Sequence, residues 1–206
     1  MQNIADPPSA LFVKGKLPPQ SLPLIAVVGT RKVTDYGREV TTLLTKQLVA
    51  AGFGIVSGFM YGVDAIAHQT AIEAGGITIG VLGFGFDHMF PKSHIRLANE
   101  VLNHNGCLLT EFPSWQPPLP QNFPLRNRIV SGMSVGVLVT EAASKSGSLI
   151  TARLAAEQGR EVFAVPGPIT SEFCNGTKNL INLGAKLVTN VDDILEELRP
   201  VTIAGF

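Results

Sequence analysis

The residues best suited to chemistry form a small-residue turn, residues 142–148, between an apolar run at 135–139 and a helical pattern. A strand that feeds such a turn and then a helix leaves unpaired backbone N–H groups at the turn, together with the positive end of the helix dipole. Lys145 adds a cation inside the turn. The arrangement is suited to bind an anion, and phosphate fits it best.

An aromatic residue and two arginines, Phe123, Arg126 and Arg128, precede this turn. They favour a polyanion over one small carboxylate, and the phenyl ring offers a surface on which a base could stack. Arginines at i and i+2 of a helix point to different faces, so at most one reaches a ligand while the other pairs with a carboxylate. The residues alone do not decide which, and a buried core position is the alternative for Phe123.

Composition sets limits on the class of protein. The 206 residues suffice for one sizeable core, and Lys+Arg and Asp+Glu balance at 16 each, so binding to nucleic acid requires a local patch. The two cysteines, Cys107 and Cys174, lack the spacing of a disulfide framework or zinc site. No apolar run approaches the ~18 residues of a membrane span, and no signal peptide is evident. We therefore expect a soluble, cytoplasmic protein without a metal.

Apolar runs alternate with helical patterns along the chain from residue 24 onward. This alternation predicts an α/β fold, a doubly wound, mostly parallel sheet with helices on both faces, whose sites lie at the carboxyl ends of the strands. We expect a proline-rich lead-in over residues 1–23, with an edge strand near 10–13, one domain over 24–200 and a tail over 201–206. The proline-rich residues 111–124 are predicted to be a long ordered loop.

The turn Gly29-Thr30-Arg31 follows the first predicted strand of the domain. It occupies the place of a dinucleotide-binding G-x-G-x-x-G loop but lacks that pattern, so NAD binding is disfavoured and no cofactor is predicted. An arginine here favours ligand binding or catalysis, with a surface salt bridge as the alternative.

Three other polar residues have competing interpretations. Asp64 and His68 share a helix face at i and i+4, but without a third ligand packing or capping is favoured over a metal site. Glu141, after the fifth parallel strand, is either a general base or a carboxylate that accepts hydrogen bonds from nearby backbone N–H groups. A Ser/His/Asp triad is disfavoured because no nucleophile elbow is present.

An ordered series of motifs runs through nearly the whole chain: VVGTR at 27–31, SGFMYGVDAIAH at 57–68, GGITIGVLGFGFD at 75–87, TEFP at 110–113, NFPLRNRIVSG at 122–132, VLVTEAASKSGSLITA at 137–152, GREVFAVPG at 159–167 and NGTKNLINLGAKLV at 175–188. By these motifs the chain resembles the central domain of the DprA, or Smf, family of bacterial DNA-processing proteins. It departs from the family at Met60, where alanine is usual, and at Pro120, where some relatives carry a lysine.

The resemblance implies an extended Rossmann-like fold that binds single-stranded DNA in natural transformation and recombination, protects it and hands it to the RecA recombinase, without catalysis. It also implies a homodimer. Carried over position by position, Arg31 contacts DNA and Phe123 stacks on a base. The full set of implied DNA-binding residues is Gly29, Thr30, Arg31, Ser57, Gly58, Phe123, Arg126, Arg128, Lys145, Ser146, Gly147 and Ser148.

Two other functions compete with DNA binding. The first is a nucleotide-binding or phosphoribohydrolase-like enzyme of the lysine-decarboxylase-like Rossmann group, although Pro168 follows Pro166-Gly167 here and the full P-G-G-x-G-T-x-x-E loop is missing. The second is a module for dimerisation and partner docking whose pocket no longer binds a ligand.

Overall fold

A computed structural model of the chain describes residues 4–203, with side chains described as far as Leu198. Its strands are β1 Phe12–Gly15, β2 Leu24–Val28, β3 Gly54–Ser57, β4 Thr78–Val81, β5 Cys107–Thr110, β6 Gly136–Val139, β7 Glu161–Ala164 and β8 Lys186–Leu187. Its α-helices are α1 Asp35–Ala50, α2 Val63–Glu73, α3 Ile95–Asn103, α4 Asn122–Gly132, α5 Ser148–Glu157, α6 Asn175–Asn182 and α7 Val191–Ile203, with short 3₁₀ helices at Lys92–His94 and Glu172–Cys174.

The eight strands form one sheet in the order β1-β5-β4-β3-β2-β6-β7-β8. Every neighbouring pair is parallel except β1 and β5. The order reverses between β2 and β6, the position at which crossover connections on the two sides diverge and leave a crevice. The predicted doubly wound, mostly parallel α/β fold is confirmed.

Strand β2 shows why the central strands are continuous apolar runs. Its side chains alternate between two faces, with Ile25 and Val27 in one buried cluster and Ala26 and Val28 in the other. Helices α1, α2 and α7 contribute to the first cluster, and α4 and α5 contribute to the second. Because both of its faces are covered, β2 is apolar along its whole length.

The lead-in contributes one strand to the sheet. The edge strand predicted near residues 10–13 forms at Phe12–Gly15, where it runs antiparallel to β5 with Val13 opposite Leu109. The predicted boundaries of the lead-in, domain and tail stay a prediction, and residues 1–3 and 204–206 lie outside the described part. No helix among the described residues has the length and apolar character needed to cross a membrane.

One element differs from its prediction in a way that matters for function. Helix α4 begins at Asn122, so the loop predicted over residues 111–124 ends earlier, and Phe123 lies in the first helical turn. Pro124 is compatible with this because the first-turn N–H groups have no intrahelical acceptor. Pro124, one of the prolines by which the segment resembled a loop, therefore belongs to the start of a helix.

Candidate functional site

A cavity of about 680 Å³ opens at the carboxyl ends of β2, β3 and β6, on the crevice where the strand order reverses. This volume lies within the ~300–1,000 Å³ of small-molecule sites. Its lining comes from the turns after these strands, the loop after β4, and helices α4 and α5. The lining residues are Val28, Gly29, Thr30, Arg31, Lys32, Gly58, Met60, Asp64, Phe90, Pro118, Pro120, Phe123, Pro124, Arg126, Asn127, Val130, Ala143, Lys145, Ser146, Gly147, Ser148, Ile150, Thr151 and Phe173.

The turn after β2 is held by backbone bonds that leave its arginine free to reach the cavity. Thr30 N donates to Glu141 O at 2.7 Å, and Thr30 O accepts from Val63 N at 3.1 Å. A Cβ on Gly29 would lie 2.5 Å from a methyl of Val63, so a side chain there would displace the turn. Arg31 follows with an exposed side chain at the cavity wall.

Arg126 forms the floor of the cavity from α4. Its side chain is 3% exposed, and Nη1 donates to the backbone carbonyls of Gly58 and Val81. Burial lowers the pKa of Arg126 to about 10, while the Asp64 carboxylate opposes that shift. The guanidinium therefore stays charged at neutral pH and joins the ends of β3 and β4 to α4.

Asp64 and Gly58 complete this floor. Burial raises the pKa of the Asp64 carboxyl, and the Arg126 guanidinium opposes that shift. Asp64 Oδ2 accepts from Met60 N at 3.2 Å, in the loop that precedes α2, whereas the start of α2 has no side-chain cap bond. Packing, and not capping of the helix, is thus the role that the structure gives to Asp64. A Cβ on Gly58 would lie 2.7 Å from both Arg126 Nη2 and Asp64 Oδ2, so only glycine lets these groups approach so closely.

Two of the residues implied by the resemblance lie apart from the cavity. Ser57 is fully buried and donates to Val27 O at 2.7 Å, which links β3 to β2. Arg128 faces away from the cavity and forms a bidentate pair with Glu111, both distances being 2.6 Å, beside a contact to Asp6. Hydrogen bonding to Glu111 raises the pKa of Arg128. Of the two arginines, Arg126 faces the cavity and Arg128 pairs with a carboxylate.

The turn before α5 contributes small polar groups to the lining of the cavity. Ser146 Oγ and Ser148 Oγ lie 2.8 Å apart, and α5 begins at Ser148 without a side-chain N-cap bond. Lys145 is exposed at the same turn. Asn127 of α4 donates to Gly147 O at 3.5 Å, so the turn is connected to the helix that carries Arg126. Two hydroxyls and a cation thus lie at this turn, whereas the backbone N–H groups of Ser146, Leu149 and Ile150 donate to carbonyls of the turn itself. That the turn binds an anion stays a prediction.

Aromatic rings form the third wall. The Phe123 ring centroid lies 5.8 Å from Arg31 Cζ and 5.8 Å from the ring centroid of Phe90. A guanidinium within ~6 Å of a ring centroid is attracted by the ring's negative face. Phe123 is half-buried, so its environment is intermediate between a core residue and an open platform.

Several lining residues were not predicted from the sequence, among them Phe90, Lys32 and Phe173. Phe90 lies in the loop after β4, where the sequence GFGFDHMF carries three phenylalanines without periodicity. Its aromatic richness was the available signal. The three rings go to different places, since Phe84 is buried, and only the fold determines that Phe90 reaches the cavity.

The Glu141 carboxylate has a structural role. Its Oε2 accepts from Thr34 N at 2.9 Å and its Oε1 from Thr34 Oγ1 at 2.5 Å, and the residue is fully buried. The interpretation of Glu141 as an acceptor of backbone hydrogen bonds is confirmed. Thr34 Oγ1 in turn accepts from Gly37 N and caps α1.

His68 is packed inside the protein. Its Nδ1 lies 2.7 Å from Thr78 Oγ1, its ring centroid is 5.2 Å from that of Phe59, and burial lowers its pKa to about 3. Among the described residues no group of His, Cys, Asp and Glu side chains could hold a metal ion. Packing is thus the role that the structure gives to His68.

The fold and cavity define a class: a Rossmann-like α/β protein whose switch-point cavity combines cations, hydroxyl groups and aromatic rings. Within that class, the chain belongs to the family described as DNA recombination-mediator protein A, whose model matches residues 1–199. This is the family that the sequence motifs indicated.

Individual relatives agree with this membership. The chain is 49% identical to Protein Smf of Escherichia coli over 194 residues, which cover 94% of the chain and 52% of Smf, so it spans about half of that relative's length. DprA of Streptococcus pneumoniae superposes with a TM-score of 0.89 at 41% identity, covering 95% of this chain and 69% of that one. The Helicobacter pylori DprA structure, described for its single-stranded DNA binding mode, gives a TM-score of 0.85 at 30% identity over 96% and 90%.

Arg128→Ala tests whether Arg128 acts on the fold or on a ligand. Loss of its charge-assisted hydrogen bonds should lower the free energy of unfolding by about 1–3 kcal/mol. Because Arg128 lies apart from the cavity, affinity for single-stranded DNA per folded molecule should not change. Urea unfolding and fluorescence anisotropy on the same preparation measure both quantities. A weakened affinity with a flatter salt dependence would return Arg128 to the binding site.

His68→Gln should make the protein less sensitive to acid. The folded state keeps His68 neutral, whereas the unfolded chain takes up a proton below a pKa near 6.5, so this stability is lost as pH falls from 6.5 towards 3. Between about pH 7.5 and about pH 4.5 the parent protein should lose about 2–3 kcal/mol that the variant retains. Urea unfolding at the two pH values gives this difference. Equal losses in both proteins would contradict the assignment.

Proposed function

We propose that this chain binds single-stranded DNA in the switch-point cavity. The observation that carries the proposal is the meeting of exposed cations and aromatic rings in one cavity of a protein with no net charge. Proteins that bind single strands combine a cationic track for the backbone with aromatic side chains on which bases stack. A local patch of this kind supplies the attraction that the overall charge does not.

The two ends of a nucleotide have separate places in this cavity. Lys145, the hydroxyls of Ser146 and Ser148, and the start of α5 provide donors and positive potential for a phosphate. Phe123 provides a ring for a base, and the Arg31 guanidinium, 5.8 Å from the centroid of that ring, is a planar cation that suits either a phosphate or a base. At four lining residues the proposed role is to let the protein backbone come close to the DNA: Gly29, Thr30, Gly58 and Gly147.

The name of one relative supports the choice of ligand. The Helicobacter pylori protein is described as binding single-stranded DNA, and this chain covers 90% of it. We extend the proposal to protection of incoming strands and their delivery to the RecA recombinase in natural transformation, without catalysis. In this proposal Ser57 and Arg128 do not contact the DNA. They stabilise β3 and α4, the elements that carry part of the site.

Arg31→Ala is the direct test of the binding site. The parent protein should prefer oligo-dT to duplex of equal length, because duplex bases are already stacked, and log affinity should fall with log salt at about −0.7 per phosphate neutralised. Arg31→Ala should weaken binding and flatten this slope by roughly one contact. Arg38→Ala, an exposed arginine of α1 outside the cavity lining, is the matched control. An unchanged slope in Arg31→Ala would exclude Arg31 from the site.

Nucleotide hydrolysis is the competing function, and Glu141 argues against it. Glu141 is not available as a general base, because both of its oxygens accept hydrogen bonds from Thr34 and it is not among the residues that line the cavity. Incubation with nucleoside monophosphates should therefore release no free base by chromatography. Release of base that disappears in Arg31→Ala would favour the enzyme.

We also propose a homodimer. Strand β8 is at an edge of the sheet, and near it the side chains of Leu183 and Leu187 are 85% and 43% exposed, so apolar surface is available there to a second copy. Light scattering should give about twice the 21.9 kDa of the chain at high protein concentration. A constant monomer mass over the accessible range would refute the dimer.

A further inference from the structure

Phe90 lies in the loop after β4 and lines the same cavity as Phe123. Its side chain is 37% exposed. We propose that Phe90 is a second base-stacking ring, so that the cavity holds two consecutive bases of a single strand. This inference rests on the proposed binding of single-stranded DNA and adds a residue and a site size to it.

Two neighbouring groups lie close to the Phe123 ring and restrict how a base can stack on it. The Arg31 guanidinium lies 5.8 Å from the Phe123 centroid, and the ring edge comes within 3.1 Å of a Cβ position on Gly83. A base that stacks on the side of the Phe123 ring nearest Arg31 must displace the guanidinium. The more exposed ring of Phe90 is open to a base without that rearrangement.

The relative position of the two rings fixes how many bases they serve. Their centroids are 5.8 Å apart and their planes are inclined by 52°, a separation at which aromatic rings contact each other. No base fits between rings in contact, so each ring stacks on a base with its outward face. Because the planes are inclined, two consecutive bases on these faces are splayed apart, as a single strand allows and a duplex does not.

A positioning role is the alternative for Phe90. Its contact with Phe123 could fix the angle of the Phe123 ring without touching DNA. The two roles differ in one measurable respect. A ring that stacks on its own base still contributes when Phe123 is truncated, whereas a ring that acts through Phe123 contributes nothing in that background.

The experiment measures affinity for a dT oligonucleotide and for an abasic strand of the same length, at one salt concentration. The variants are Phe90→Ala, Phe123→Ala, the double variant and Phe90→Leu, which keeps an apolar contact with Phe123 but removes the flat ring. Trp115→Ala is the matched control, because Trp115 is 68% exposed and lies outside the cavity lining. Thermal melting of each variant establishes the folded fraction.

We expect Phe90→Ala and Phe90→Leu to weaken dT binding about fivefold to a hundredfold, with abasic binding and Trp115→Ala unchanged. In the Phe123→Ala background, Phe90→Ala should lower the affinity for dT at least a further fivefold. No loss in the single variants, or no further loss in the double variant, overturns the proposal. If Phe90→Ala does not fold, Phe90→Leu takes its place, both as a single variant and combined with Phe123→Ala, and the same criteria apply. Absence of dT binding by the parent protein would instead refute the proposed function.

Discussion

The buried guanidinium of Arg126 is the interaction on which the cavity depends. A charge in this position costs several kcal/mol of desolvation unless it is compensated, and Arg126 obtains compensation from the carbonyls of Gly58 and Val81 and from the field of Asp64. Of these partners, Gly58 follows β3, Val81 ends β4 and Asp64 lies at the beginning of α2. One side chain of α4 therefore holds the ends of two parallel strands in fixed relation to the helix that carries Phe123.

Around this floor, the protein separates structural polar groups from available ones. Glu141, Arg128 and His68 are each engaged by a neighbour: Thr34, Glu111 and Thr78 respectively. Arg31 and Lys145 remain exposed at the cavity. A chain with equal numbers of acidic and basic residues can in this way present a local cationic surface, because its carboxylates are placed elsewhere or neutralised by partners.

The architecture and much of the cavity could be predicted from the sequence. Apolar runs such as Leu24–Val28 are typical of strands buried on both faces, and their alternation with helical patterns indicates a parallel sheet covered by helices. The turn before α5 was predicted to be an anion site because a strand, small residues and a helix follow one another locally. The motifs also indicated the family. The start of α4 was not predicted, because proline is compatible with both a loop and a first helical turn.

What the sequence determined by itself is therefore the set of local patterns: the alternation of strands and helices, the glycine turns and the spacing of Arg126 and Arg128. Tertiary structure decided which of these arginines faces the cavity, since Glu111 lies 17 residues from Arg128 and pairs with it only across the fold. It also brought Phe90 to Phe123, 33 positions later in the chain, through β4, β5 and α4. Spacing along a helix reports which residues share a face, whereas the identity of the neighbours that meet that face depends on long-range packing.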